Sequence, residues 1–193
     1  MGIEYELKFR ATEDVLDQVR QAYPDGHREF QMETIYYDTP DNRLSARYYT
    51  LRRRMENGVS VCTLKTPAEG IGRQELEAEC DSIEAAIPIL CAIGAPADFL
   101  NLTTEGGVPI CGAKFTRTAI SVVQEDCTVE LALDTGILTG GNKSVPMCEL
   151  EVELKDGEPA AAEQFALALA AIYGLKPESK SKFRRALALY KGE

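Results

Sequence analysis

Residues 2–10 alternate strictly. Ile3, Tyr5, Leu7 and Phe9 share one parity, while Glu4, Glu6, Lys8 and Arg10 take the other. This period-two pattern predicts a strand with one apolar and one charged face. The period then lengthens: residues 12–23 place Val15, Leu16 and Val19 on one stripe behind a Thr12 cap and two acids, which predicts a helix stopped by Pro24-Asp25-Gly26. Residues 31–38 return to a strand pattern, and Thr39-Pro40-Asp41-Asn42 is a turn. Residues 48–55 and 59–65 read as two strands joined at Asn57-Gly58, a strong hairpin signal.

Residues 73–80 alternate again. A helix is predicted over residues 81–94, with a capping-box-like Asp81 and Glu84, and Pro88 starting or kinking its body. Residues 96–107 read as loop or short helix. Strands follow at 110–124, 128–134 and 145–155, with Gly136, Gly140 and Gly141 marking turns. Pro159 early, an Ala/Leu-rich body and Gly174 as a stop predict a helix over 158–173. Residues 179–190 predict a basic terminal helix. With no internal repeat and no linker, the expectation is one domain over residues 1–193: α+β, an antiparallel barrel or sheet with helices packed outside.

Composition narrows the chemistry. The 193 residues carry 31 acids against 21 Lys and Arg, a net charge of −10, which disfavours a nucleic-acid partner. No apolar run reaches membrane-spanning length and no signal-peptide stretch is present, so a cytoplasmic location without membrane association is expected. Six cysteines without a C-x-x-C pair read as reduced, mostly buried thiols. His27 is the only histidine, which removes most zinc sites and most Ser-His or Cys-His arrangements. Carboxylates, Lys and Arg must do the chemistry.

Those residues form stripes: Glu4, Glu6 and Lys8; Arg52 and Arg54; Arg73, Glu75, Glu77 and Glu79; Glu149, Glu151, Glu153 and Lys155. Any one stripe fits the solvent face of a half-exposed sheet. Together they strain that explanation, because like charges ~7 Å apart along a strand repel unless cations sit among them. The alternative is a wet, charged interior in which acids hold a hard cation and Arg and Lys clamp phosphate oxygens.

Glu4-Tyr-Glu6-Leu-Lys8 resembles the Glu-x-Glu-x-Lys signature of the CYTH, or triphosphate tunnel metalloenzyme, superfamily. It is joined in order by Tyr36-Tyr37-Asp38-Thr39-Pro40-Asp41, Leu51-Arg52-Arg53-Arg54, Thr63-Leu64-Lys65, Arg73-Gln74-Glu75-Leu76-Glu77, Phe115-Thr116-Arg117, Leu133-Asp134-Thr135-Gly136, Glu149-Leu150-Glu151 and Ser181-Lys182-Phe183. The resemblance implies a closed antiparallel eight-stranded β-barrel, a tunnel with helices packed outside, and a need for Mg²⁺ or Mn²⁺. It implies metal ligation by Glu4, Glu6, Glu149 and Glu151, and triphosphate binding by Lys8, Arg52, Arg54, Lys65, Arg117 and Lys182. Asp134, Glu75 and Glu77 become acids for a second metal, for orienting water or for holding the cations, and Glu153 extends the acidic stripe. Where many relatives have a lysine, this chain has Phe115; either the clamp lacks one cation, or Lys114 reaches in through a bulge.

The activity so implied is metal-dependent hydrolysis of a small-molecule triphosphate. Inorganic tripolyphosphate comes first, because no cluster of aromatics for stacking a base is evident and Trp is absent. Thiamine triphosphatase, a class IV-type adenylyl cyclase making cyclic AMP from ATP, and a non-hydrolytic polyphosphate or nucleotide sensor are the alternatives. A homodimer is left open.

Overall fold

The computed structural model describes residues 5–67 and 73–193. In chain order the elements are β1 (Glu6–Arg10), α1 (Glu13–Ala22), β2 (Arg28–Asp38), α2 (Arg43–Ala46), β3 (Thr50–Glu56), β4 (Val59–Pro67), β5 (Arg73–Glu79), α3 (Ile83–Ala92), α4 (Phe99–Leu102), β6 (Val108–Val123), β7 (Cys127–Gly140), β8 (Lys143–Gly157), α5 (Pro159–Tyr173), β9 (Lys176–Pro177) and α6 (Lys182–Lys191).

Local chemistry sets most boundaries. The Thr12 hydroxyl accepts from Val15 N at 3.3 Å and caps α1. Asn57 and Gly58 take φ of 47° and 89°, the pair of left-handed residues that matches a two-residue hairpin turn to strand twist. α3 is capped by Ser82, whose side chain accepts from Ala85 N; the expected Asp81 cap lies one residue too early, and Pro88 sits inside the helix. The expected turn at Gly136 is also absent. Gly136 lies within β7, opposite Phe115 and Met147, and a Cβ there would come within 2.2 Å of the Lys114 carbonyl oxygen. Its missing side chain lets the two backbones approach, so the glycine serves packing inside the strand.

The strands form one antiparallel nine-stranded sheet in the order β5-β4-β3-β2-β6-β7-β8-β1-β9. This overturns the closed eight-stranded barrel. Among the described residues β5 pairs with β4 alone, and the far side of β1 is taken by β9, through Phe9 opposite Pro177 and Arg10 opposite Lys176. Glu178 N also donates to the Lys8 carbonyl at 2.8 Å. With that edge of β1 occupied, it does not receive β5. The sheet is nevertheless curled: Lys65 on β4 and Lys8 on β1, far apart in strand order, line the same cavity. The result is a trough.

Strand parity sorts the side chains. On the convex face, Phe9, Leu131, Leu133, Leu150 and Val152 pack with Leu16 and Val19 of α1 and Ala162, Ala166 and Leu169 of α5. At the other end Leu51, Cys62 and Leu64 pack with Ile83, Ala86 and Leu90 of α3 and with Phe99. Each such Leu or Phe contributes ~1.5–3 kcal/mol on burial. A third cluster lies inside the trough: Met32, Tyr36, Ala113, Phe115 and Leu138 pack against Ala186 and Phe183 of α6. The expectation that helices lie only outside is thus corrected, because α6 enters the concave side. A Cβ on Gly140 would come within 2.4 Å of the Ala186 carbonyl oxygen, so a bare glycine lets the helix settle on β7. Among the described residues no helix is long and apolar enough to cross a membrane.

Candidate functional site

The inward parity of the strands brings most of the sequence-predicted residues to one cavity of about 300 Å³, walled by Glu6, Lys8, Arg52, Arg54, Lys65, Arg117, Glu151, Glu153 and Lys182 among others. Glu4 lies outside the described residues. Asp134, Glu149, Glu75 and Glu77 sit beneath or beside the wall and act on the residues that form it.

The deep end is an ion network. Arg117 forks onto Asp134, with Nε to Oδ1 and Nη2 to Oδ2 both at 2.7 Å, and Nη2 also reaches Glu151 at 2.5 Å. From the first residue of α6, Lys182 Nζ lies 2.8 Å from Asp134, 2.7 Å from Glu149 and 2.8 Å from Glu151. The other Glu149 oxygen contacts Arg185. Neither Glu149 oxygen has directed hydrogen-bond geometry, so these are contacts of charge. Asp134 and Glu149 are fully buried, where an unmatched carboxylate would cost several kcal/mol; three acids against Lys182, Arg117 and Arg185 balance. Burial pushes the Glu151 carboxyl up, but Lys182 and Arg117 outweigh it and hold it at about 2. Burial likewise pushes Lys182 down, and Asp134 and Glu151 reverse this, leaving it above the ordinary lysine value.

The opposite wall is cationic. Glu75, on β5, bridges two of its members: Lys65 Nζ at 2.8 Å and Arg52 Nη2 at 3.3 Å. Glu77 accepts from the Thr63 hydroxyl at 3.1 Å. Arg54 is 3.9 Å from Glu56. Burial, with Arg52 adding to it, pulls the Arg54 pKa below the usual arginine value. The Nε groups of both Arg52 and Arg54 are buried with no hydrogen-bond partner. Arg53 points away: its Nε donates to Ser60 Oγ at 3.0 Å.

At the rim, Glu6 stands opposite Glu153 and Lys8 opposite Glu151 in the β1–β8 ladder, while Glu149 falls opposite Arg10, two residues further along on the same face. Glu6 and Glu149 are therefore not brought together. Glu6 pairs with Lys8 at 3.0 Å and Glu153 with Lys155 at 2.8 Å. Oxygen donors alone suit a hard divalent cation. Asp134, Glu149 and Glu151 offer ligand atoms within 4.8 Å of one another, but Lys182 already fills the space between them. Glu6, Glu151 and Glu153 line the open cavity, with both Glu151 oxygens engaged by Lys182 and Arg117.

Several residues in and beneath the cavity were given no role by the sequence reading. Arg185 lies three residues after Lys182, one helical turn on, so the helix period could have found it. Tyr36, Phe115 and Phe183 form an aromatic floor, with Tyr36 and Phe183 centroids 4.8 Å apart and the charges of Lys182 and Arg117 5.2 and 5.7 Å from the Phe115 ring. Lys114 does not reach in. β6 pairs in unbroken register with β7 there, and Lys114 lines a groove with Ile35 and Ile137 instead.

The sequence also has relatives. Over 133 residues it is 29% identical to an inorganic triphosphatase of Haemophilus influenzae, a match covering 68% of this chain and 38% of that protein's length. A putative adenylyl cyclase from Hippeastrum with a dominant triphosphatase activity superposes with a TM-score of 0.65 at 18% identity, over 100% of this chain and 96% of the other. The PH1819 protein of Pyrococcus horikoshii gives 0.61 at 23% identity, over 97% and 99%; at these identities the likeness is one of fold. The model of the CYTH domain matches residues 2–187. With its motifs in order along nearly the whole length and its strands curled around a charged trough, the chain belongs to the CYTH domain family.

Proposed function

We propose that the protein hydrolyses a triphosphate in this cavity, with inorganic tripolyphosphate as its simplest substrate and Mg²⁺ or Mn²⁺ as its cofactor. The observation that carries the reading is the pair of buried, unpartnered Nε–H groups of Arg52 and Arg54, facing the same space as Lys8 and Lys65. Buried donors without partners are costly, and a polyanion would satisfy them. The triphosphatase from Haemophilus influenzae supports the same activity.

In this reading Arg52 and Arg54 grip phosphate oxygens through directed N–H donors, and Lys8 and Lys65 add point charge. Glu75 keeps Arg52 and Lys65 in place and offsets their mutual repulsion before the ligand arrives. Arg117 and Lys182 act mainly by holding the acidic strands and α6 in register. Glu6, Glu151 and Glu153, together with Glu4 as the sequence motif implies, would hold the divalent cation, which would neutralise the charge of the phosphates. A rim carboxylate orients the attacking water, and the cationic wall stabilises the leaving pyrophosphate. Phosphoryl transfer asks chiefly for such positioning and charge matching.

The test is phosphate release from tripolyphosphate, ATP and thiamine triphosphate, each with Mg²⁺ and with Mn²⁺, together with product analysis for ATP. Phosphate from tripolyphosphate supports the proposal. Cyclic AMP plus pyrophosphate from ATP assigns the site to a cyclase instead, and binding without turnover assigns it to a sensor.

A further inference from the structure

Tyr36 lines the cavity without carrying charge. It is only 6% exposed, and a phenol so enclosed needs a partner for its hydroxyl. Strand pairing supplies one. In the β2–β3 ladder Tyr36 stands directly opposite Arg52, so the two inward side chains are cross-strand neighbours, and the Arg52 guanidinium donates to the phenol oxygen. Burial pushes the Tyr36 pKa up, and the charges of Arg52 and Lys182 pull it back.

Two further features fix where that hydroxyl points. The β2–β6 ladder slips here: Tyr36 pairs with Cys111, but Tyr37 pairs with Pro109. Such a bulge beside a site re-aims a side chain. The Tyr36 ring is then held by Phe183 of α6, with 4.8 Å between centroids and 45° between planes.

Arg52 is thereby braced from two directions. Its Nη2 reaches Glu75 at 3.3 Å and Tyr36 takes a second contact, while the buried Nε–H stays unpartnered. Arg54, two residues along the same face, is held differently. Opposite it stand Thr34, whose hydroxyl sits on a short stem, and Val61, which accepts nothing; its carboxylate neighbour Glu56 is 3.9 Å away. The chemistry of the brace also matters. A carboxylate at position 36 would cancel the charge of the clamp and repel an incoming polyanion. A neutral phenol accepts from the guanidinium and leaves its charge intact.

We propose that Tyr36 is a positioning residue of the phosphate clamp: its hydroxyl, aimed by the bulge and by its ring's packing on α6, orients the Arg52 fork so that Nε–H faces the triphosphate. This rests on the triphosphate reading of the cavity and deepens it. Arg54 takes no orientation from Tyr36. The seating of α6 is passed to the opposite wall through one aromatic ring.

The test is a double-mutant cycle on tripolyphosphate hydrolysis with Mg²⁺. Tyr36→Phe keeps the ring against Phe183 and removes the hydroxyl, and circular dichroism verifies the fold. Alone it should lower kcat/KM about 10-fold, the scale of a hydrogen bond to a charged group. Arg52→Lys puts a point charge on a flexible stem, which needs no aiming. On that background Tyr36→Phe should lower kcat/KM by less than about a further 2-fold; on the Arg54→Lys background it should again lower it about 10-fold. A hydroxyl with a merely structural role would act alike on both. Similar further losses on the two backgrounds, or a loss under about 2-fold in Tyr36→Phe alone, overturn the proposal. If the wild type binds tripolyphosphate without turning it over, hydrolysis is refuted, and the same cycle decides the proposal by the same factors, read in the Kd from calorimetric titration. No binding of tripolyphosphate by the wild type overturns it.

Discussion

Lys182 Nζ sits 2.7 Å from Glu149 Oε2, joining the first turn of the terminal helix to a carboxylate at the bottom of the trough. The same ammonium serves Asp134 and Glu151, so one side chain neutralises acids from two strands and fixes the helix that covers them.

Removing that charge while keeping the bulk should be costly. Lys182→Met leaves buried carboxylates short of a counter-ion, and about 3–5 kcal/mol of unfolding free energy should be lost at neutral pH, the scale for breaking a buried ion pair. Urea unfolding measures it. A loss under ~1 kcal/mol would mean that water already solvates the triad.

Acid should act through Glu151. Its folded pKa, at about 2, lies below the ordinary value of 4.5, so its contribution to stability is complete above about 4.5 and is lost as the pH falls towards 2. Wild-type stability should therefore decline over that window, and Glu151→Gln should decline less steeply there. Parallel pH curves for the two proteins would remove Glu151 as the cause.

The three consecutive arginines of β3 should behave unequally. Arg52 and Arg54 face the cavity, and Arg53 bonds Ser60 on the other side. Arg52→Lys and Arg54→Lys keep charge but lose the fork, and each should lower kcat/KM for tripolyphosphate by about 10-fold. Arg53→Lys should change it by less than about 2-fold. Sensitivity at Arg53 alone would show that the strand's inward face is the other one.

Neighbouring positions of β8 should separate stability from activity. Leu150 is fully buried on the convex face, so Leu150→Ala should cost ~2–5 kcal/mol. Glu153→Gln, on the cavity side, should leave the unfolding midpoint nearly unchanged while raising the Mg²⁺ concentration needed for activity. Comparable destabilisation by both would contradict this division of faces.

Alternation made the strands legible because period two is a local property. It also gave the parity of Glu6, Lys8, Arg52, Arg54, Glu149 and Glu151, and hence the charged interior. What it does not encode is which strand lies beside which. The closed ring failed on β9, two residues long and containing Pro177, too short for any period, yet it takes the edge of β1. Register was equally invisible: only the ladder shows Glu6 opposite Glu153, with Glu149 displaced to face Arg10. The aromatic floor was missed for a related reason, since Tyr36, Phe115 and Phe183 come from elements scattered along the chain.

An unclosed sheet has two margins, and exposed strand margins invite other chains to add on. Here each margin discourages that differently. Along β5, Glu75, Glu77 and Glu79 repeat one sign of charge, so a second copy laid alongside would be repelled. At β9, Pro177 has no N–H to offer a visiting strand. The carboxylate that steadies Arg52 and Lys65 thus belongs to a row that also keeps neighbouring molecules from zipping onto the trough, and the fold tolerates its open seam without becoming adhesive.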